Sequence, residues 1–462
     1  MTKTDLLIVG GGPAGMSAAT EAASHGVHCH LVDENPALGG QIYRQAGAAD
    51  HHQTDRDDTL ARKVERRDDR ITILREASAV AVFDGRKVAL SRKNSTELVD
   101  TDVLILASGA YEYVPPFPGW TLPGVMTPGS AQILAKTMGV SPGKRLLLSG
   151  SGPFLLAVAS SLLKVDVEIV AILEASPRWP WVTLPFRAWK NLDKWKEGWQ
   201  YVSELRNAGI RIRHGRIVVS ANGDNDLTSV SHAAVDRDWH PDRSKVETED
   251  VDTLCVGYGF VPRVFLAQLA GCELEYRSEI GGWIPRRNAD MCTTVPNILS
   301  AGDGAGVAGV LVATLEGRLA GLVAARRLEA IGDAELTSLR RPIDAELKRL
   351  TPFRKALDRI SRIRPGLNSL VDDETVVCRC EELRWKQVRE SVAFGGTNFR
   401  TLKVQSRVGM GPCQGRFCWP AMARLVAEQS GCDPKDVGPS SPRPPIRPVT
   451  LGALAAGVGG ES

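Results

Sequence analysis

A short apolar run, Leu6-Leu7-Ile8-Val9, stops at Gly10-Gly11-Gly12-Pro13-Ala14-Gly15, and an alanine-rich stretch follows over 16–23. This pattern predicts a buried strand, a tight turn and a helix in direct succession. A second apolar run, 28–32, ends at Asp33, eighteen positions after Gly15. Strand, glycines, helix, strand and acid at this spacing make one βαβ unit suited to a dinucleotide. Gly10 permits the turn, Gly12 lets bare backbone approach a pyrophosphate, and Gly15 lets helix and strand pack closely. Pro13 and Ala14 open the helix, whose N-terminus faces the phosphates. Asp33 is placed to accept from a ribose hydroxyl of the adenosine half, and Glu34 is the neighbouring alternative.

At 462 residues the chain is too long for one ordinary domain, and its 43% apolar content suits roughly two to four packed units with sizeable cores. Its 57 basic and 54 acidic residues are well mixed, which gives no reason to expect nucleic acid as a partner. The most apolar run, 146–163, is broken by Gly150, Gly152 and Pro153. It reads as strand, turn and buried helix and not as a membrane span. Met1-Thr2-Lys3-Thr4-Asp5 lacks the basic start, apolar stretch and cleavage site of a signal peptide, so a cytoplasmic protein is expected.

The strand-glycine-helix pattern recurs at Arg145-Leu146-Leu147-Leu148-Ser149-Gly150-Ser151-Gly152-Pro153-Phe154-Leu155, but the third glycine is Leu155. A leucine there pushes the helix off the strand and disturbs the pyrophosphate cradle. Glu174, after the next strand, is the kind of residue that selects NAD over NADP. The expectation is a retained fold whose second site is vestigial or repurposed, with NAD(P) not firmly held.

Near the C-terminus stand Cys378-Arg379-Cys380 and Cys413-Gln414-Gly415-Arg416-Phe417-Cys418. Two closely spaced thiolate pairs can each give two ligands to a small iron-sulfur unit. Four cysteines also make a structural zinc site, although zinc favours C-x2-C on both sides. The preferred reading beside a nucleotide fold is iron-sulfur. The remaining cysteines, Cys29, Cys255, Cys272, Cys292 and Cys432, read as small apolar residues of a reduced protein. No redox cysteine pair occurs in the nucleotide regions, which excludes thiol-disulfide reduction. No acid, base and anion clamp can be argued from spacing, so no catalytic residue is assigned. Lone histidines such as His25, His30 and His214 read as surface or strand residues.

The N-terminal segment resembles the FAD-binding motif of the two-dinucleotide-domain flavoproteins, the glutathione-reductase-like and ferredoxin-reductase-like enzymes. Three further stretches carry the resemblance: Leu38-Gly39-Gly40-Gln41; the strand ending Ala107-Ser108-Gly109, with Ser108 for the usual threonine; and Ser300-Ala301-Gly302-Asp303. The resemblance implies bound FAD, with bare backbone at Gly40 and Gln41 passing the cofactor and Asp303 on its ribityl chain. A helix over 309–326 would point its N-terminus at the flavin.

The cysteine region resembles the small [2Fe-2S] domain of bacterioferritin-associated-ferredoxin type, with C-x4-C for the usual second C-x2-C. Almost the whole chain, including Gly119-Trp120-Thr121-Leu122-Pro123-Gly124-Val125 and Pro442-Arg443-Pro444-Pro445-Ile446-Arg447-Pro448-Val449, is similar to one group. That group comprises the A-type subunits of opine (octopine and nopaline) oxidases, the corresponding subunit of hydrogen cyanide synthase and the alpha subunits of proline and hydroxyproline dehydrogenases. The resemblance implies that the C–N bond of an amino acid, imino acid or opine is oxidised on a partner, a flavoprotein subunit with a D-amino-acid-oxidase-like fold. It further implies an FMN at the subunit interface, a place for a small ferredoxin-like subunit, and electron delivery to a quinone or another carrier. Two contrasting readings are a self-sufficient NAD(P)H-dependent reductase feeding a ferredoxin-like acceptor, and a non-redox scaffold locked by a nucleotide.

Five of the ten tryptophans fall in 177–201, mixed with Arg187, Lys190, Lys194 and Lys196. Docking on a partner fits best; an amphipathic surface helix, peripheral on the inner face of the cell membrane, and an internal packing insertion also fit. The expected architecture is α/β, a two-dinucleotide-binding-domain flavoprotein with a small α-rich [2Fe-2S] domain. Residues 1–118 and 275–340 form the FAD domain and 119–274 the second nucleotide-type domain. A linker spans 341–364, the [2Fe-2S] domain 365–435, and an extended Pro-rich tail lying on a neighbour 436–462.

Overall fold

The structure, a computed structural model, describes residues 2–43, 58–66, 69–179, 181 and 192–458. They form two compact units. The first holds the described residues up to Tyr111, Val261–Leu350 and those from Ser441 onward; the second holds those within Glu112–Phe260 and Thr351–Ser440.

The first unit is built on β1 (Thr2–Val9), β2 (Cys29–Val32), β3 (Ile71–Leu74), β4 (Ser78–Phe83), β5 (Lys87–Ser91) and β6 (Thr96–Leu106). They lie in the order β3-β2-β1-β6-β5-β4, and the late strand Ile298–Ser300 adds to β6. β1 runs parallel to both neighbours, with Leu6 opposite Cys29 on one side and Val103 on the other. Leu6, Leu7 and Ile8 are fully buried, as a parallel strand covered on both faces requires. α1 (Pro13–Ser24) and the late helix Val310–Arg327 pack on each other through small residues. A Cβ on Gly317 would stand 2.1 Å from Ala14 O, and one on Gly321 would stand 2.5 Å from Ala18 O. Leu6, Ile8, Met16, Leu31, Ile105, Leu299 and Leu319 centre the core.

In the second unit a parallel sheet is ordered Ile212–His214, Glu168–Glu174, Arg145–Gly150, Thr253–Gly257, Val125–Met126. A separate antiparallel sheet is formed by Arg216–Asn222, Ser229–Val235 and Pro241–Asp250. Leu155 is buried in the core between helix and sheet, with Leu146, Leu148 and Val158. The helix Asp333–Ser361 brings the chain back into this unit. The cysteine-bearing residues follow, with helices Trp385–Ala393, Phe399–Ser406 and Trp419–Ser430. They group with the second nucleotide-type sheet in one compact unit.

The tail differs from the expected extended arm. Its prolines keep 438–450 free of helix, but Leu451–Val458 is helical, because that stretch is proline-free and rich in alanine and leucine. It also lies on its own unit: Ile446 N donates to Val80 O at 2.9 Å, and Val449 packs against Val80, Ala81 and Ala89. Of the tryptophan-rich stretch, 180 and 182–191 lie outside the described residues. Trp181 packs with Ala356 and Ile360, whereas Trp179 and Trp199 are more than seven-tenths exposed. Among the described residues no helix is long and apolar enough to cross a membrane.

Candidate functional site

The glycines of the first loop divide by what surrounds them. Gly10, at φ +113°, leaves no room for a Cβ, which would fall 2.2 Å from Ala107 O; one on Gly15 would fall 1.8 Å from Gly10 O. These two hold the fold together. At Gly12 a Cβ would meet only Gly40 Cα at 3.7 Å, so this backbone is bare for a ligand to approach. Gly40 itself, at φ +61°, lies against Gly12 and Pro13, and Gly39 N donates to Gly11 O at 2.9 Å. No side chain caps the start of α1, whose first-turn N–H groups suit a pyrophosphate. Gln41 is exposed at the edge of this loop.

Asp33 is more committed to its own chain than the sequence suggests. Its Oδ2 accepts from Gly11 N at 2.7 Å, and its Oδ1 accepts from Asn35 N and Nδ2 at 2.7 and 2.8 Å. These bonds tie the glycine loop to the turn after β2. Glu34, the next residue, is held by two guanidiniums: Arg263 Nη1 lies 3.1 Å from its Oε1, and Arg447 binds Oε2. Burial alone would raise the Glu34 pKa, but the two guanidiniums outweigh it and hold the carboxyl below its ordinary range.

Ala107, Ser108 and Gly109 come to the same corner. Ala107 N donates to Val9 O at 2.9 Å, Ser108 Oγ to Arg263 O at 2.8 Å, and Arg263 N to Gly109 O at 2.9 Å. Gly302 fits against Ala14, where a Cβ would stand 2.8 Å from the alanine Cβ. Asp303 Oδ1 accepts from Ala308 N at 2.7 Å and Gly309 N at 3.0 Å, capping the approach to the helix Val310–Arg327. Gly302 N donates to Glu316, a buried carboxylate paired with Arg287 at 2.7 Å. Sequence reasoning missed Arg263, Arg287, Glu316 and Arg447, because no local spacing ties them to the glycine motif. Their partners lie as many as 413 positions away, the interval from Glu34 to Arg447.

The second loop is closed by its own chain. Ser151 Oγ, Ser176 N and Gly152 N all donate to the Glu174 carboxylate, at 2.9, 2.9 and 3.0 Å. Ser176 Oγ donates to Ile360 O at 2.6 Å, and a Cβ on Gly152 would lie 2.7 Å from Ser361 Oγ. The end of the helix Asp333–Ser361 thus rests where a nucleotide would approach. Burial pushes the Glu174 pKa to about 7 against the hydrogen bonds it accepts.

The four cysteines converge. Cys418 hydrogen-bonds to Cys378, which lowers the Cys378 pKa to about 6 against burial; the N–H groups of Gly409, Glu381 and Cys380 add to this. Burial, followed by hydrogen bonding to Cys413, raises the Cys380 pKa, and the bond to Cys378 with burial raises that of Cys418. Each contact joins one cysteine from each couplet. Among the described residues no three His, Cys, Asp or Glu side chains are closed around a metal position. Among the described residues no disulfide joins any of the nine cysteines. The donor set nonetheless fits a two-plus-two thiolate site ringed by backbone N–H donors.

Residues 4–327 match the family model for pyridine nucleotide-disulphide oxidoreductases. The chain belongs to that family. Residues 373–458 match the sarcosine oxidase A3 domain, which includes the two couplets. The HcnB chain of hydrogen cyanide synthase from Pseudomonas aeruginosa is 34% identical over 97% of both chains. The A chain of opine oxidase from Agrobacterium tumefaciens is 33% identical over 98% of this chain and 91% of its own. L-proline dehydrogenase from P. horikoshii shares the fold at a TM-score of 0.69 and 21% identity, over 98% of this chain and 79% of that one. T. acidophilum thioredoxin reductase, at 0.52 and 20%, covers 72% of this chain with all of its own. The protein is therefore a flavin-type oxidoreductase with the α/β, FAD-binding architecture of the pyridine nucleotide-disulphide oxidoreductases.

Proposed function

We propose that this chain is the electron-accepting flavin and iron-sulfur subunit of a multi-subunit dehydrogenase or oxidase. The C–N bond of an amino acid, imino acid or opine is oxidised on a partner subunit. The observation that carries this reading is that one chain, similar over 98% of its length to the A chain of opine oxidase, combines a bare glycine cradle with four convergent cysteines.

FAD in the first loop would supply a two-electron acceptor, and a [2Fe-2S] centre on the cysteines a one-electron relay. Gly12, Gly40 and the start of α1 would hold the pyrophosphate, and Glu34 the ribose. The N-terminal end of the helix Val310–Arg327 favours negative charge near Asp303 and Gly309. Cys378, Cys380, Cys413 and Cys418 would be the metal ligands. No acid-base constellation is assigned in this chain, so substrate selection rests with a partner flavoprotein of D-amino-acid-oxidase-like type. The same reading includes FMN at the interface and a quinone or other carrier as acceptor. The self-packed second loop favours it over an NAD(P)H-fed reductase.

Cys413→Ser and Cys418→Ser test the proposal on the co-expressed complex. Iron, sulfide and the cluster's visible absorbance are expected to fall to background while flavin is retained, with turnover on the natural acceptor lost. A wild-type protein carrying zinc without iron, or variants with unchanged turnover, would sink the iron-sulfur role.

A further inference from the structure

The corner occupied by Glu34 carries more than the glycine motif requires. Glu34 follows Asp33, whose carboxylate accepts from Gly11 in the phosphate loop, so it stands at the adenosine end of the first site. Two arginines from distant parts of the chain reach it. Arg263 is anchored by its backbone to Ser108 and Gly109. Arg447 belongs to the tail, which is fastened at three further places. Ile446 N donates to Val80 O at 2.9 Å, Val449 packs on the β4–β5 face, and a Cβ on Gly457 would lie 2.4 Å from Thr96 O. All of these residues belong to the first unit.

A carboxylate offers about four lone-pair positions. Arg263 takes one on Oε1 and Arg447 one on Oε2. One acceptor position is left on each oxygen, the number that the two hydroxyls of a ribose cis-diol require. The three side chains are each about 30% exposed, at 28%, 29% and 30%, so the corner is open to a ligand as well as clamped.

We propose that Arg447 is a positioning residue for the adenosine end of the first nucleotide site, coupling docking of the C-terminal tail to retention of the dinucleotide. The proposal rests on the assignment of FAD to that site. Coupling is reciprocal: if the docked tail tightens FAD, bound FAD must hold the tail. Arg447→Lys keeps the charge but loses the planar fork, and so separates the two contributions.

The test uses full-length protein depleted of flavin and titrated with FAD, followed by flavin fluorescence and by hydrogen exchange over 441–457. Wild type is expected to bind FAD and to slow exchange in the tail on binding. Arg447→Ala should weaken FAD by about tenfold and abolish that protection, with Arg447→Lys intermediate. If wild type binds FAD but Arg447→Ala matches it in affinity and tail exchange, this proposal falls alone. Wild-type tail exchange indifferent to FAD overturns it without reference to any variant. If wild type binds no FAD, the flavin assignment fails and the coupling fails with it.

Discussion

Glu174 is the side chain whose chemistry the fold alters most usefully for experiment. Its carboxyl titrates near 4.5 when unperturbed and at about 7 when buried in the second loop. Between those values the folded state keeps a proton that the unfolded chain has lost, so the contribution of Glu174 to stability is greatest below pH 4.5 and falls as pH rises towards 7. The loss amounts to about 3 kcal/mol in all. Denaturant midpoints across pH 4.5 to 7.5 should therefore decline more steeply in wild type than in Glu174→Gln. Parallel pH profiles would mean that the carboxylate is already ionised in the folded protein. Asp33 teaches a related lesson. Its position was legible from spacing, whereas its commitment to Gly11 and Asn35 depends on where those N–H groups point.

Between elements, the two nucleotide-type motifs diverge through helix packing. α1 approaches the first loop so closely that Gly15 cannot carry a side chain, and the helix Val310–Arg327 lies on α1 just as tightly at Gly317 and Gly321. In the second unit Leu155 stands in the core, so its helix has a leucine side chain between itself and the sheet. Gly317→Val places a branched side chain against the fixed Ala14 carbonyl, where the chain has no rotamer freedom to yield. A destabilisation of about 3 kcal/mol, at the upper end for overpacking, is expected, with loss of bound flavin as the helices part. Chemical denaturation together with flavin content checks this, and an unchanged midpoint would show that the helices can separate without cost.

Taken as a whole molecule, the chain has a first nucleotide-type loop that is bare and a second that is filled by its own helix end. Its source of electrons should reflect that difference. Anaerobic addition of NADH, then NADPH, to the purified chain is expected to leave flavin and cluster absorbance unchanged, and dithionite should bleach both. Rapid bleaching by either nucleotide would revive the self-sufficient reductase and require the end of the helix Asp333–Ser361 to move off Gly152. Bleaching by amine substrate only after the partner subunit is added would agree with electrons arriving from that subunit.

Local order determined much of this protein. The strand-glycine-helix-acid succession fixed both βαβ units, since backbone sterics at Gly10 and Gly15 and a period of apolar burial act over a few residues. The cysteine couplets likewise announced themselves by spacing. Tertiary structure alone decided which groups meet: Arg447 with Glu34, Arg287 with Glu316, Ile360 and Ser361 with the second loop, and Cys378 with Cys418. It also decided that the helix ending the tail docks at Thr96, although its helical content follows from local composition. Hydrogen bonds and ion pairs form wherever folding brings donor and acceptor within about 3 Å, whatever their separation along the chain. A residue pattern read one segment at a time carries no record of that distance.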